Sequence, residues 1–133
     1  MDLSKYSDIE LLIALVMGEA EGEPLQGKIA VACVVRNRVN DERWPDTWRG
    51  VMMQPNQFSC FLPEYFRADI FKQDRLNPVW REAHLAAFGV YNRYIRAEAR
   101  GANHYYATII EEPYWAKGRN PVLEVGKHKF YQL

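Results

Sequence analysis

No stretch of this sequence approaches the run of about 20 apolar residues that a membrane-spanning helix requires. The amino terminus, Met1-Asp2-Leu3-Ser4-Lys5, lacks the profile of a signal peptide. Cysteine is scarce: Cys33 and Cys60 are the two present, too few to establish a disulfide framework. Net charge is missing as well, because 17 basic and 17 acidic residues cancel, so the overall signature of a nucleic-acid binder is absent and none is expected as a partner. Several chemical motifs are also lacking. There is no His-Glu-any-any-His helix and no compact Cys/His cluster. Ser59 has no Gly-any-Ser-any-Gly elbow, and Gly18, Gly22 and Gly27 form neither a phosphate-binding loop nor a dinucleotide fingerprint. The expectation is a soluble chain made in the cytoplasm, without metal or cofactor.

What is present fits one domain spanning residues 1–133, 48% hydrophobic and 14% aromatic, a length that buries roughly two-thirds of the unfolded surface. Ser7 followed three residues later by Glu10 is a capping-box signal, after which Ile9, Leu12, Leu15 and Val16 recur at helical spacing. A second helix is predicted from near Pro24 to about Val39. Ile29 to Val35 is apolar around most of the circumference, and Cys33 is expected to be a buried small side chain there. Arg36 and Arg38 are read most simply as solvent-facing, with one of them reaching back toward the carboxylates or contacting substrate as the alternative. After a polar connection from Asn40 to Pro45, Thr47 caps a short helix through about Met53, and Gln54 to Ser59 reads as a loop.

Asn77-Pro78 opens a further helix predicted through roughly Glu98, with Trp80, Ala83, Ala87, Val90 and Tyr94 on its packing side and His84 structural at the border of that face. Beyond Gly101 the period changes. Strand formers run from His104 to Ile110, from Val122 to Val125 and from His128 to Tyr131, with Gly126 available for a turn. The fold class is therefore α+β: a helical body bearing a small, mostly antiparallel sheet or hairpin lobe, with a cleft at the junction.

Glu19 is the residue that asks for an explanation. It lies four residues after Leu15 and three after Val16, so it continues the buried stripe of the first helix into the turn Gly18-Glu19-Ala20-Glu21-Gly22-Glu23-Pro24. A carboxylate there is paired, hydrated through a cleft, or held partly protonated, because uncompensated burial of its charge is costly. That makes it the leading general-acid candidate, with a frayed helix end or a core pairing as the plain alternative. Two other chemistries compete. A metal would use His104, His128 and an acidic residue, and a cysteine peptidase would pair Cys60 with His104 or His128. The loop with Gln57, Phe58 and Ser59 combines hydrogen-bonding groups with apolar surface, which suits a sugar and equally suits an anchored loop. Trp44, Trp48, Phe58, Tyr105, Tyr106 and Trp115 are candidates to stack on sugar faces, but strand alternation sends Tyr105 and Tyr106 to opposite sides.

An ordered set of segments carries a family resemblance. Gly18 to Pro24 is followed by Gly27-Lys28-Ile29-Ala30-Val31-Ala32-Cys33-Val34-Val35-Arg36-Asn37-Arg38-Val39, Trp44-Pro45-Asp46-Thr47, Gly50-Val51 and Gln54-Pro55-Asn56-Gln57-Phe58-Ser59. Gly101-Ala102-Asn103-His104-Tyr105-Tyr106, Pro121-Val122 and Gly126-Lys127-His128-Lys129-Phe130-Tyr131 complete it. From about Leu11 to Tyr131 the chain resembles the SleB/CwlJ-type cell-wall hydrolases, including spore cortex-lytic catalytic domains.

The resemblance implies a lysozyme-like or lytic-transglycosylase-like fold that cleaves peptidoglycan glycan strands. It implies Glu19 as the catalytic glutamate and Glu23 as the second characteristic one. Gln57, Phe58, Ser59, His104, Tyr105 and Tyr106 would border the glycan groove. Glu21 stands where family members often carry a basic or neutral side chain, adding negative charge near Glu19 if it points into the cleft. Non-hydrolytic cleavage between N-acetylmuramic acid and N-acetylglucosamine, with Glu19 as acid then base, is favoured. A hydrolytic muramidase using Glu23, Asp41, Asp46 or Glu64, and a non-catalytic glycan-binding domain, remain as alternatives. A monomer is expected. Two settings fit, a bacteriophage lysis protein reaching the host wall after membrane permeabilisation or a component delivered with another assembly, with a bacterial enzyme using an atypical export route as a third.

Overall fold

In the computed structural model, residues 2–55, 57–72, 76–96 and 99–133 are described. Helix α1, Asp8–Ala20, starts on the capping box the sequence announces: the Ser7 hydroxyl accepts from the Glu10 N–H, and the Glu10 carboxylate accepts from the Ser7 N–H. Every side chain from Leu11 to Met17 is buried, so this helix is enclosed on all sides rather than amphipathic. Helix α2, Leu25–Val39, begins directly after Pro24 and buries the continuous run Ala30–Val35, Cys33 included. Both pack against α4, Pro78–Tyr91, and the short α3, Trp48–Met52, capped by Thr47, closes the other side. Among the described residues no helix is long and apolar enough to cross a membrane.

Helix α4 ends at Tyr91, well before Glu98, which lies outside the described residues. The cause is a Schellman closure: the Tyr94 N–H reaches back to the Gly89 carbonyl at 2.8 Å and the Arg93 N–H to Val90 at 3.2 Å, with Arg93 left-handed at φ 64°. Glycine usually occupies that position, and an arginine there disguises the stop. Tyr94, expected on the packing side, is consequently past the helix end and 77% exposed. Ala83, Ala87 and Val90 are buried as expected.

Strands β1, His104–Ala107, β2, Leu123–Val125, and β3, His128–Tyr131, form an antiparallel sheet in the order β1-β3-β2. The first strand is shorter than its strand-forming run, since Ile109 and Ile110 are exposed in the turn that follows. Gly126, at φ 55°, makes the β2–β3 turn. Register pairs Tyr105 with Phe130 and Ala107 with His128, and these face the helices; His104 pairs with Tyr131 and Tyr106 with Lys129 on the outer face. The outer face is covered in part by the turn Tyr114–Ala116, where Trp115 packs against Tyr106 and Tyr131. This is an α+β, lysozyme-like arrangement: a helical body and a small sheet, with a groove at their junction.

Candidate active site

The junction groove, about 280 Å³, is lined on the helical side by Met17 to Glu23 and on the sheet side by Ala107, Ile109, Lys127 and His128. Glu19 comes from the last turn of α1 and is partly buried. Burial raises its proton affinity, and the facing Tyr105 hydroxyl opposes that shift in part by favouring the charged form. Tyr105 is itself pushed well above the ordinary phenol value, first by burial and then by the negative charge of Glu19. The pair is a carboxyl of raised proton affinity with one polar neighbour, at the mouth of an otherwise apolar helix face.

Glu21 does not take part in that shift. Its side chain turns outward and pairs with Arg67 at 2.8 Å, both half exposed, so its charge is spent away from Glu19. Glu23 is 9% exposed and committed to the sheet. Its Oε1 accepts from the Lys127 N–H at 2.8 Å and lies 2.8 Å from Nδ1 of His128, off the line of a ring N–H hydrogen bond. A β-carbon on Gly126 would stand 2.6 Å from the same oxygen, so the glycine is required for the close approach as well as for its φ. Behind the turn, the buried Lys28 ammonium donates to the Glu23 carbonyl and pairs with Glu82 at 3.1 Å.

Arg38 was expected to face solvent and is instead 6% exposed. Its Nε donates to the Asn103 carbonyl at 2.8 Å and its NH1 to Gln57 Oε1 at 3.0 Å, while its guanidinium lies over Trp44 and Phe58. Arg36 likewise donates to the carbonyls of Ile95 and Arg96. The physical reason is placement: Arg38 follows Val34 by four residues and Val35 by three, on the buried stripe, as Glu19 follows Leu15 and Val16. The signal was legible, and buried carbonyls repay the guanidinium its lost water. Arg38 thus ties the Gln57 loop to the start of β1, beside Tyr105.

The remaining candidates are divided by the fold. Gln57 and Ser59 are exposed, whereas Phe58 is buried beneath Arg38 and offers no free ring face. The 3-10 turn Ser59–Phe61 presses on α1 through Cys60, which lies against Gly18 and within electrostatic reach of Glu19. Burial first, then the Glu19 charge, pushes the Cys60 thiol up to about 12. The thiolate that a peptidase requires is therefore disfavoured at neutral pH. Tyr105 reaches Glu19, but His104 and Tyr106 sit on the opposite face of β1, with Tyr106 only 9% exposed. His104 and His128 do not converge: one ring packs between Trp44 and Trp115, the other beside Glu23 and Tyr105. Among the described residues no group of three or more His, Cys, Asp or Glu is arranged to hold a metal ion.

Comparison with known proteins gives a consistent answer. The profile of the family described as cell wall hydrolase matches residues 22–131, beginning just after Glu19. The spore cortex-lytic enzymes of Bacillus subtilis (strain 168) and Oceanobacillus iheyensis are each 32% identical over 124 residues, 93% of this chain. The chain spans only 37% and 41% of their respective lengths. Among solved structures, the catalytic domain of the germination-specific lytic transglycosylase SleB from Bacillus anthracis superposes with a TM-score of 0.76 at 27% identity, covering 97% of this chain and 98% of that one. The catalytic domain of the Bacillus cereus SleB protein gives 0.71 at 29% identity, covering 97% and 94%.

Proposed function

The chain belongs to the cell wall hydrolase family, and from that membership we propose that it cleaves the glycan backbone of bacterial peptidoglycan between N-acetylmuramic acid and N-acetylglucosamine. The observation that carries the reading is the Glu19 carboxyl in the groove, its proton affinity raised by burial. Glu19 donates its proton to the bridging glycosidic oxygen as the bond to the anomeric carbon breaks, lowering the cost of expelling the sugar. Such acid catalysis is worth about 10²- to 10⁴-fold in rate.

The second step is lytic transglycosylation. The C6 hydroxyl of the same muramic residue attacks its anomeric carbon and returns its proton to Glu19, leaving a 1,6-anhydro end and consuming no water. Two features support this over hydrolysis. Of the three glutamates at the groove, Glu21 is paired with Arg67 and Glu23 accepts from the Lys127 N–H, contacts that favour structural over water-positioning roles for both. The relatives with solved structures include one described as a lytic transglycosylase. In this reading Glu23 positions the sheet edge, and Tyr105 orients the acid. Gln57 and Ser59 offer polar groups to the strand, while Phe58 supports them from beneath. The enzyme acts as a monomer on the wall polymer.

Digestion of purified peptidoglycan followed by mass analysis tests the proposal. Muropeptides ending in 1,6-anhydromuramic acid are the expected product. New reducing ends would replace transglycosylation by hydrolysis, and unchanged glycan would leave only a binding role. Glu19→Gln is expected to fold and to abolish turnover; normal cleavage by that variant would move the acid to another residue.

A further inference from the structure

Outside the Glu19 groove, the outer face of β1 carries a built surface with no role in the chemistry above. The His104 ring lies between Trp44 and Trp115, with centroid separations of 5.9 and 5.1 Å, and all three are only partly buried. Its tautomer follows from its neighbours. Asn103 Oδ1 accepts from the Leu133 N–H at 3.0 Å and Asn103 Nδ2 donates to the Leu133 carbonyl at 3.1 Å, which fixes that amide's orientation. The oxygen lies 2.8 Å from His104 Nδ1, so Nδ1 must carry the hydrogen and Nε2 presents a lone pair. Burial and the surrounding guanidiniums of Arg38, Arg43 and Arg119 keep this ring neutral, its pKa lowered to about 4.

Those guanidiniums are not equivalent. Arg38 is buried and spent on Asn103 and Gln57. Arg43 lies over the Trp44 ring at 4.8 Å and pairs with Asp41 at 2.8 Å, with a further bond to the Leu133 carbonyl. Arg119 closes the turn that carries Trp115, its N–H bonded to the Ala116 carbonyl at 3.1 Å. Its exposed side chain makes no hydrogen bond or ion pair with the described residues. Among the described residues Asp41 is the one acid paired to these guanidiniums, so the patch keeps an excess of positive charge beside two indoles and one acceptor nitrogen. The carboxylates of Glu112 and Glu124 act on Tyr131 further along the same face.

We propose that Trp44, His104, Trp115 and Arg119 form a second binding site that takes a peptide stem of the wall polymer through its carboxylates. The inference rests on the glycan-cleaving reading above and names the form of the substrate: strands whose muramic residues still bear peptides. The exposed edges of the indoles cover the apolar peptide side chains and methyl groups, the His104 Nε2 accepts an amide N–H, and Arg119 takes a carboxylate in two parallel hydrogen bonds. Charge complementarity favours the several carboxylates of a stem over bare muramic acid, which keeps only its lactyl carboxylate.

The test uses the Glu19→Gln protein and two soluble ligands prepared from one wall digest: muramoyl tetrasaccharides with intact stems, and the same sugars with the stems removed by an amidase and the freed lactyl carboxylates capped as methylamides. Titration calorimetry is expected to show the stemmed ligand binding roughly tenfold more tightly, with the ratio shrinking as salt is raised. Arg119→Gln, at an exposed position, is expected to bring the ratio close to one. Equal affinities in the parent protein, or a ratio that survives Arg119→Gln, would overturn the proposal. Cleavage by the wild-type enzyme is followed in parallel. Equal cleavage of both ligands with equal binding sinks the stem site and leaves the glycan-cleaving reading intact, whereas stem-dependent binding without any cleavage does the reverse.

Discussion

Gly18 and Cys60 touch with no room for another carbon: a β-carbon built on Gly18 falls well inside the contact distance of the Cys60 Cβ. This contact seats the Ser59–Phe61 turn on α1 one residue from Glu19, so the absence of a side chain at Gly18 sets how closely that turn approaches the helix. Gly18→Ala is expected to destabilise the protein by about 1–3 kcal/mol through overpacking, despite the better helix propensity of alanine. Cys60→Ala retains the offending β-carbon and will not rescue it. Cys60→Gly removes that atom and is expected to recover part of the loss. Thermal denaturation of the two double variants separates these outcomes, and equal melting temperatures would refute the steric account.

The same burial makes Cys60 chemically quiet. With its thiol pushed up to about 12, native protein at pH 8 is expected to resist iodoacetamide at Cys60, while protein unfolded in guanidinium is alkylated rapidly. Mass spectrometry of the labelled peptide gives the answer. Fast labelling in the native state would restore a reactive thiolate and with it the peptidase alternative.

Much of the fold was legible because local signals and burial agreed. The Ser7–Glu10 capping box, the Thr47 cap and the Asn77-Pro78 start each appear where their hydrogen bonds form. The end of α4 was not, because Arg93 fills a left-handed position that glycine would have advertised. At the site, Glu19 stood out as a charge on an apolar stripe. Arg38 obeys the same spacing, but a lone arginine at a helix end is usually solvated, and its carbonyl partner at Asn103, 65 residues away, is invisible to local pattern. Likewise, alternation correctly separated Tyr105 from Tyr106, but only the sheet register says which of them meets Glu19.

Glu23 offers a separation of structural from chemical roles. Its carboxylate holds the Lys127 N–H, and Gly126 leaves it just enough space. Glu23→Ala is expected to cost about 1 kcal/mol by leaving that part-buried donor without its charged acceptor. Gly126→Ala should do comparable damage from φ strain and from its clash with the carboxylate. Glu23→Gln keeps an acceptor oxygen and is expected to lose less stability than Glu23→Ala. If Glu23→Gln is as stable as wild type yet loses turnover as completely as Glu19→Gln, Glu23 is a catalytic residue and the hydrolytic mechanism returns.

The proton on Glu19 serves activity and stability alike, since both are lost as it leaves with rising pH. Its folded-state pKa is raised by burial, so the folded protein binds this proton more tightly than the unfolded chain does. Stability associated with Glu19 is therefore fully present below the ordinary carboxylate value and is lost as pH rises through the raised one. Glu19→Gln is accordingly expected to raise the melting temperature at pH 7 while abolishing cleavage, with the gain vanishing near pH 4. Because the Tyr105 hydroxyl favours the charged carboxylate, Tyr105→Phe should raise the Glu19 pKa further and move the alkaline limb of the rate profile to higher pH. The magnitude of kcat will also fall if the acid loses its orientation. An alkaline limb that stays in place in Tyr105→Phe would show that the group titrating in the wild-type enzyme is not Glu19.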